Sequence, residues 1–199
     1  MKHTLIFISL LTLSSLAHAQ LKDGNYVLSS GESEITWKVD YSIGSKGHEG
    51  TLKLSSGSIL VKDGIIQSGS FIIDMNSVHV TDMPADDGGK DLEEHLKAKD
   101  FLSTDVYPKG SFTVLNSIRS VPQKLTVSGN LILKGISNTI SFPATITETK
   151  SGTSVQAEFK VNRTQWGINY QSGIIGAVKD EMISDDMNIT LNFTFKRAQ

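Results

Sequence analysis

The stretch "LTVSGNLILKGISNTISFPATI", Leu125 to Ile146, decides the fold class. Its first half sets Leu125, Val127, Gly129, Leu131 and Leu133 on one face against Thr126, Ser128, Asn130, Ile132 and Lys134 on the other. Its second half repeats the pattern, with Ile140, Phe142, Ala144 and Ile146 against Thr139, Ser141, Pro143, Thr145 and Thr147. Successive side chains of a strand point to opposite faces, so this alternation predicts antiparallel strands with one apolar and one wet face. Two further runs obey it: Val155, Ala157, Phe159 and Val161 share one face, as do Met187, Ile189, Leu191, Phe193 and Phe195.

Upstream the pattern is less regular. Trp37, Val39 and Tyr41 share a face of a run from Glu34 to Tyr41, and Phe71, Ile73 and Met75 share a face of the run from Ile65. "KDG" at 62–64 predicts a hairpin turn, and Gly57 in "SSG" predicts a bulge within one long bent strand from His48 to Lys62. With Ser111–Ile118 the count reaches about eight strands, which as a closed barrel hold either packed side chains or one small ligand. The expected fold is all-β, an antiparallel lipocalin-like barrel with one short α-helix in a long connection.

The first residues read as a secretory leader. Lys2 precedes an apolar run from Leu5 to Leu16, and Ala17-His18-Ala19 is a small-x-small cleavage signal, so cleavage is expected after Ala19. Residues 20–199 then form one domain, exported to a periplasm or secreted. The whole chain carries 19 Lys plus Arg and 21 Asp plus Glu, a net charge of −2 with no basic cluster. That balance gives no footprint for nucleic acid. The absence of cysteine excludes disulfides, thiolate catalysis and thiolate metal sites, and suits a bacterial periplasm. The Asn-x-Thr triplets at Asn162, Asn188 and Asn192 read as polar strand faces.

Two long excursions interrupt the meander, Asn76 to Lys109 and Asn162 to Asp185, and long connections in compact domains are often lids or binding loops. In the first, Asp91 is the expected N-cap of a helix with Glu94 three places on, and Leu92 and Leu96 share its apolar face. His95 falls on a partly solvated flank of that helix. A metal or enzymatic site would have to assemble His48, His79 and His95 from distant segments, since no HExxH spacing occurs. In the second excursion Arg163 either pairs with Asp100 or Asp105 as part of a gate, or ties the loop down. Trp166 either lies over the barrel mouth or caps the core, and "SGIIGAVKDEM" has the glycines of a mobile mouth loop.

Taken in order, "LSSGESEITWKV", "GHEGTLKLSSGSI", "GSFIIDMNSV", "HLKAKDFLSTDVYPKGSF", "LTVSGNLILKGISNTISFPATI", "VNRTQWGI" and "SDDMNITLNF" resemble the YceI-like polyisoprenoid-binding proteins, over about Tyr26 to Phe195. The resemblance implies an exported, non-enzymatic carrier of a long apolar chain such as a polyisoprenoid or isoprenoid quinone, held inside a lipocalin-like barrel. The ligand-facing set on that reading is Trp37, Val39, Tyr41, Ile73, Phe112, Leu131, Phe142, Phe159, Trp166, Leu191 and Phe193. Many members carry a histidine near the end of the first strand where this chain has Asp40-Tyr41, and Tyr41 can donate a hydrogen bond in its place. His48 reads as a strand-start residue. No cofactor is expected beyond a bound isoprenoid lipid or quinone. The expected partner is an apolar small molecule or lipid, with no nucleic acid and no stable membrane insertion, and oligomeric state is left open. Periodicity leaves a second outcome standing, in which side chains fill the interior and the barrel serves as a structural or interaction module. It also leaves a third, an outer-membrane barrel, because alternation does not say which face points inward.

Overall fold

The computed structural model describes residues 21–41, 46–121, 123–150, 152–173 and 182–198. The expected leader and residues 174–181 of the glycine-containing loop lie outside them. Nine strands are described: β1 Gly24–Leu28, β2 Glu34–Val39, β3 His48–Lys62, β4 Ile65–Val80, β5 Lys109–Val121, β6 Lys124–Leu133, β7 Ile136–Thr149, β8 Gly152–Asn162 and β9 Asp186–Arg197. One α-helix, α1 at Lys90–Lys97, lies between β4 and β5.

The nine strands make eight staves. β2 pairs with the His48–Leu52 part of β3, and β1 with the Ser58–Val61 part. Both also pair with β9, β2 on Asn188–Asn192 and β1 on Phe195–Arg197. β1 and β2 therefore lie end to end on one stave. From there each strand pairs antiparallel with the next round to β9, which closes the barrel. β1 escapes sequence reading because only Tyr26 and Leu28 of its five residues point inward.

The predicted turn at Lys62-Asp63-Gly64 is present, with Asp63 at φ 54° and Gly64 at φ 71°, and Lys134-Gly135 makes a second such turn at φ 48° and 73°. Two positive φ values in a two-residue loop match the twist of the strands they join. The predicted bulge in β3 is also present, between the pairs Leu54–Ile73 and Ser56–Ile72, but the role given to Gly57 is corrected. Gly57 is absent from the glycines at positive φ. A Cβ there would lie 2.7 Å from Cδ1 of Phe71, so glycine makes room for that ring.

A second irregularity was not expected. Between the pairs Thr51–His79 and Lys53–Asp74, β3 spends one residue where β4 spends four. Ser77 knits the bulge, its Oγ accepting from Lys53 N–H at 2.8 Å and donating to the Asp74 carbonyl at 2.6 Å. The bulge carries β4 on to Val80, four residues past the expected start of the excursion, and turns both Met75 and Val78 inward.

The helix is present, but Asp91 does not cap it. The chain enters through a wide turn at Ala85–Gly89, where Gly89 N–H reaches the Pro84 carbonyl at 3.0 Å and Lys90 N–H reaches that of Ala85. The backbone itself satisfies these donors, so the helix starts at Lys90 with Gly89 at the cap and no side-chain capping bond. Asp91 and Glu93 fall in the first turn, where negative charge complements the macrodipole.

Candidate functional site: an apolar cavity closed by the helix

The inward faces enclose a cavity of about 210 Å³. Protein interiors pack like organic crystals, and a single water needs only about 10–15 Å³ on this scale. The space is far larger than a packing defect, so the barrel is hollow. Every stave contributes to its wall, from Ile35, Trp37 and Val39 on β2 round to Met187, Ile189, Leu191, Phe193 and Phe195 on β9. Phenyl rings form a belt through it. Phe159 stacks on Phe142 at 4.2 Å, Phe142 meets Phe112 at 5.6 Å, Phe112 meets Phe71 at 6.3 Å, and Phe71 meets Phe193 at 5.8 Å.

Of the expected ligand-facing residues, Trp37, Val39, Ile73, Phe112, Leu131, Phe142, Phe159, Leu191 and Phe193 line this cavity. Tyr41 and Trp166 do not. Tyr41 lies past the end of β2 and makes an isolated bridge with Ile183. Trp166 is 1% exposed and donates its indole N–H to the Leu131 carbonyl at 3.0 Å, so it caps the core outside the cavity wall and does not gate the mouth. Arg163 settles on the tethering alternative. Its guanidinium reaches the carbonyls of Ser184, Ile168 and Ile183 at 2.9, 2.8 and 3.0 Å and lies 3.4 Å from Asp185, with neither Asp100 nor Asp105 among its partners.

One end of the barrel is closed by α1. Leu92 and Leu96 pack on the small cluster of Trp37, Val78 and Val80, and together with Phe101 and Leu102 they line the cavity. The one apolar helix face expected at Leu92 and Leu96 is the face that covers the barrel end. Glu93 fastens the helix: its Oε1 accepts from Val80 N–H at 3.0 Å and lies 2.5 Å from Nδ1 of His79. The hydrogen bond from Val80, then that from His79, hold the Glu93 carboxyl below its ordinary value of 4.5 against the opposing effect of burial. A depressed carboxyl pKa adds stability that is present above the unfolded-state value and lost as pH falls through the folded one. Glu93→Gln is therefore expected to flatten the fall in melting temperature of the wild type below about pH 4.5. A pH series of thermal melts checks this, and an unchanged acid limb in the variant would remove Glu93 as its source.

His95 lies on the partly solvated flank expected of it, its side chain 39% exposed. Its ring meets Phe101 at 5.3 Å and Tyr170 at 4.8 Å, edge to face, so it joins the helix to the second excursion. Nε2 is shielded and lies 3.6 Å from Asp100, beyond hydrogen-bond length. The three histidines of the described chain do not converge. His48 pairs with Asp82 and His79 with Glu93, and no group of three or more potential metal ligands occurs among the described residues.

The outer faces of β6 to β9 carry polar ladders. Ser128 meets Ser141, Thr139 donates to Asn130, and Gln156 donates to Asn192. A transmembrane barrel has the reverse arrangement, an apolar band outside. No described helix is long and apolar enough to cross a membrane.

A closed antiparallel barrel of eight staves, hollow and apolar within and capped by one short helix, has the lipocalin-like architecture. Within that class the chain belongs to the YceI-like domain family, whose match spans residues 26–195. Among solved structures it is similar to BcnA of Burkholderia cenocepacia, with a TM-score of 0.68 and 18% identity over 83% of this chain and 98% of that one. It is also similar to a polyisoprenoid binding domain from Saccharophagus degradans implicated in plant cell wall breakdown, with a TM-score of 0.61 and 13% identity over 89% and 100%. The YCEI protein of Campylobacter jejuni matches with a TM-score of 0.51 and 15% identity over 100% and 99%. These likenesses are of fold. No curated protein matches the chain.

Proposed function

We propose that this chain is a non-enzymatic carrier of a long apolar ligand, an isoprenoid lipid or isoprenoid quinone, exported to a periplasm or secreted after cleavage behind Ala19. The observation that carries the reading is the cavity, walled by aliphatic and phenyl side chains from every stave. Such a wall offers an alkyl or isoprenyl chain burial worth about 2.5 kcal/mol per 100 Å² and offers almost nothing to a polar substrate. The Saccharophagus domain of the same fold, described as polyisoprenoid binding, supports the same ligand class. A helix that closes one end of the barrel suits a carrier, which must keep its cargo from water and release it.

Native mass spectrometry of the protein, expressed with its leader and purified without detergent, tests the reading. The expected result is a bound apolar species of a few hundred daltons or more, recovered by organic extraction, on a chain beginning at Gln20. A ligand-free mass that stays unchanged after incubation with isoprenoid quinones, isoprenoid alcohols and fatty acids would overturn the carrier assignment. A chain retaining residues 1–19 would overturn the export assignment alone.

A further inference from the structure

The two ends of the barrel are closed in different ways. Away from α1 the interior is packed shut: Leu21, Tyr26, Val61, Leu125 and Ile146 are 1–7% exposed there, and none of them lines the cavity. Leu21, Leu125 and Ile146 meet around the turns at Gly64 and Gln123, which belong to that end. The Tyr26 hydroxyl donates to the Lys22 carbonyl at 2.8 Å and holds the segment before β1 across it. At the other end the cover is no part of the sheet. Leu92, Leu96, Phe101 and Leu102 line the cavity there, and all four come from the excursion between β4 and β5. Side chains fasten α1, Glu93 to Val80 and His79, and His95 to Tyr170. An element held by a few such contacts opens at lower free energy than the strands of a core.

Between the two ends the wall presents no polar surface to the cavity. Trp37 and Arg163 reach the wall but direct N–H groups to backbone carbonyls, and His48 has Nδ1 at 3.1 Å from Asp82. A hydroxyl carried inside would find no partner. An unpaired buried polar group weakens binding roughly five- to hundredfold, and a charged one far more.

We infer that a ligand enters tail first beneath α1 and leaves its polar end in water at that end of the barrel, so that the cavity selects on the chain and not on the headgroup. A headgroup hydrated in both the free and the bound ligand cancels from the binding free energy, and burial of the chain remains. The ligand class is then an amphiphile whose apolar chain fits the cavity, whether alcohol, ether or phosphate. The inference rests on the carrier reading above and adds to it the direction of entry and the basis of selection.

Two series test it on the mature protein. In the first the chain is constant and the polar end varies: farnesol, farnesyl methyl ether and farnesyl phosphate are titrated below their micellar concentrations. Binding is followed by the fluorescence of the two tryptophans, of which Trp37 lines the cavity. The three affinities are expected to agree within about fivefold, and a larger spread would mean a buried headgroup and overturn the inference. The second series uses farnesol with a nitrobenzoxadiazole label at the hydroxyl end or at the opposite end. The first compound is expected to bind like farnesol and the second about tenfold or more less tightly, because either the label or the hydroxyl must then enter the cavity. A smaller gap would overturn tail-first entry. The chain has no cysteine, so a nitroxide on Glu94→Cys in α1, or on the exposed Ser120→Cys beside the β5–β6 turn at the opposite end, locates the bound label. Quenching from the helix position alone is expected, and any other pattern would overturn entry beneath α1. Absence of binding by every ligand in both series would overturn the carrier reading itself, and this inference with it.

Discussion

Arg163→Met is expected to lower the free energy of unfolding by about 3 kcal/mol, the cost of leaving backbone carbonyls without their buried donor. The side chain is 1% exposed, and burial pushes its guanidinium down from the ordinary arginine range with Asp185 opposing the shift. Its donors serve three backbone carbonyls, those of Ile168, Ile183 and Ser184, which belong to two segments of the second excursion. Methionine keeps most of the apolar volume, so the loss reports unpaired carbonyls more than a void. Lysine keeps the charge but lacks the planar fork that meets several acceptors at once, and Arg163→Lys is expected to fall between methionine and wild type. Urea unfolding followed by tryptophan fluorescence reads the midpoint and slope. A loss below about 1 kcal/mol for Arg163→Met would mean that water replaces these hydrogen bonds and that the arginine is not the tie it resembles.

The second large effect is on binding. Ala144 lines the cavity on β7 and is 2% exposed, with its paired neighbour Leu125 at the same depth. Ala144→Phe places a phenyl ring where a ligand chain would run, and affinity for a long apolar ligand is expected to fall by about two orders of magnitude or more. Stability is expected to change by less than about 2 kcal/mol, because the strain of over-packing, about 1–3 kcal/mol, is offset by burial of the new ring in existing space. Binding measured beside thermal melts separates the two quantities. In a filled barrel the same substitution would cost stability in full and leave binding at a surface site untouched, so that pattern would reject the hollow interior. Ala144→Val serves as the intermediate, with a partial loss of affinity.

The alternation that marked β6, β7, β8 and β9 was readable because the direction of a strand side chain is a local property, repeating every second residue whatever the strand pairs with. Most members of the apolar sets of those strands line the cavity, and nine of the eleven expected ligand-facing residues lie on its wall. Tyr41 and Trp166 fall outside for one reason: each stands beyond the end of a strand, where the period-two rule no longer fixes direction. What the period could not supply was the partners of His48 and Arg163. His48 does start β3 as read, but its partner Asp82 lies 34 positions away along the chain, and of the two readings open for Arg163 the tie within its own excursion, closed by Asp185, is the one present. The cap on α1 was misplaced because an Asp-x-x-Glu spacing is a local offer, and the turn at Ala85–Gly89 had already met the need with backbone carbonyls.

By itself the sequence determined the class of element, the face each strand buries, the turn at Asp63-Gly64 and an apolar helix face at Leu92 and Leu96, all of which rest on neighbours within a few positions. Tertiary structure alone decided that nine strands make eight staves, that the helix covers an end of the barrel and not its side, and that the interior is hollow. A cavity is the difference between the space a ring of staves encloses, set by their number and stagger, and the volume of the side chains pointing into it. No local pattern carries that difference, because its first part does not exist until the last strand has closed on the first.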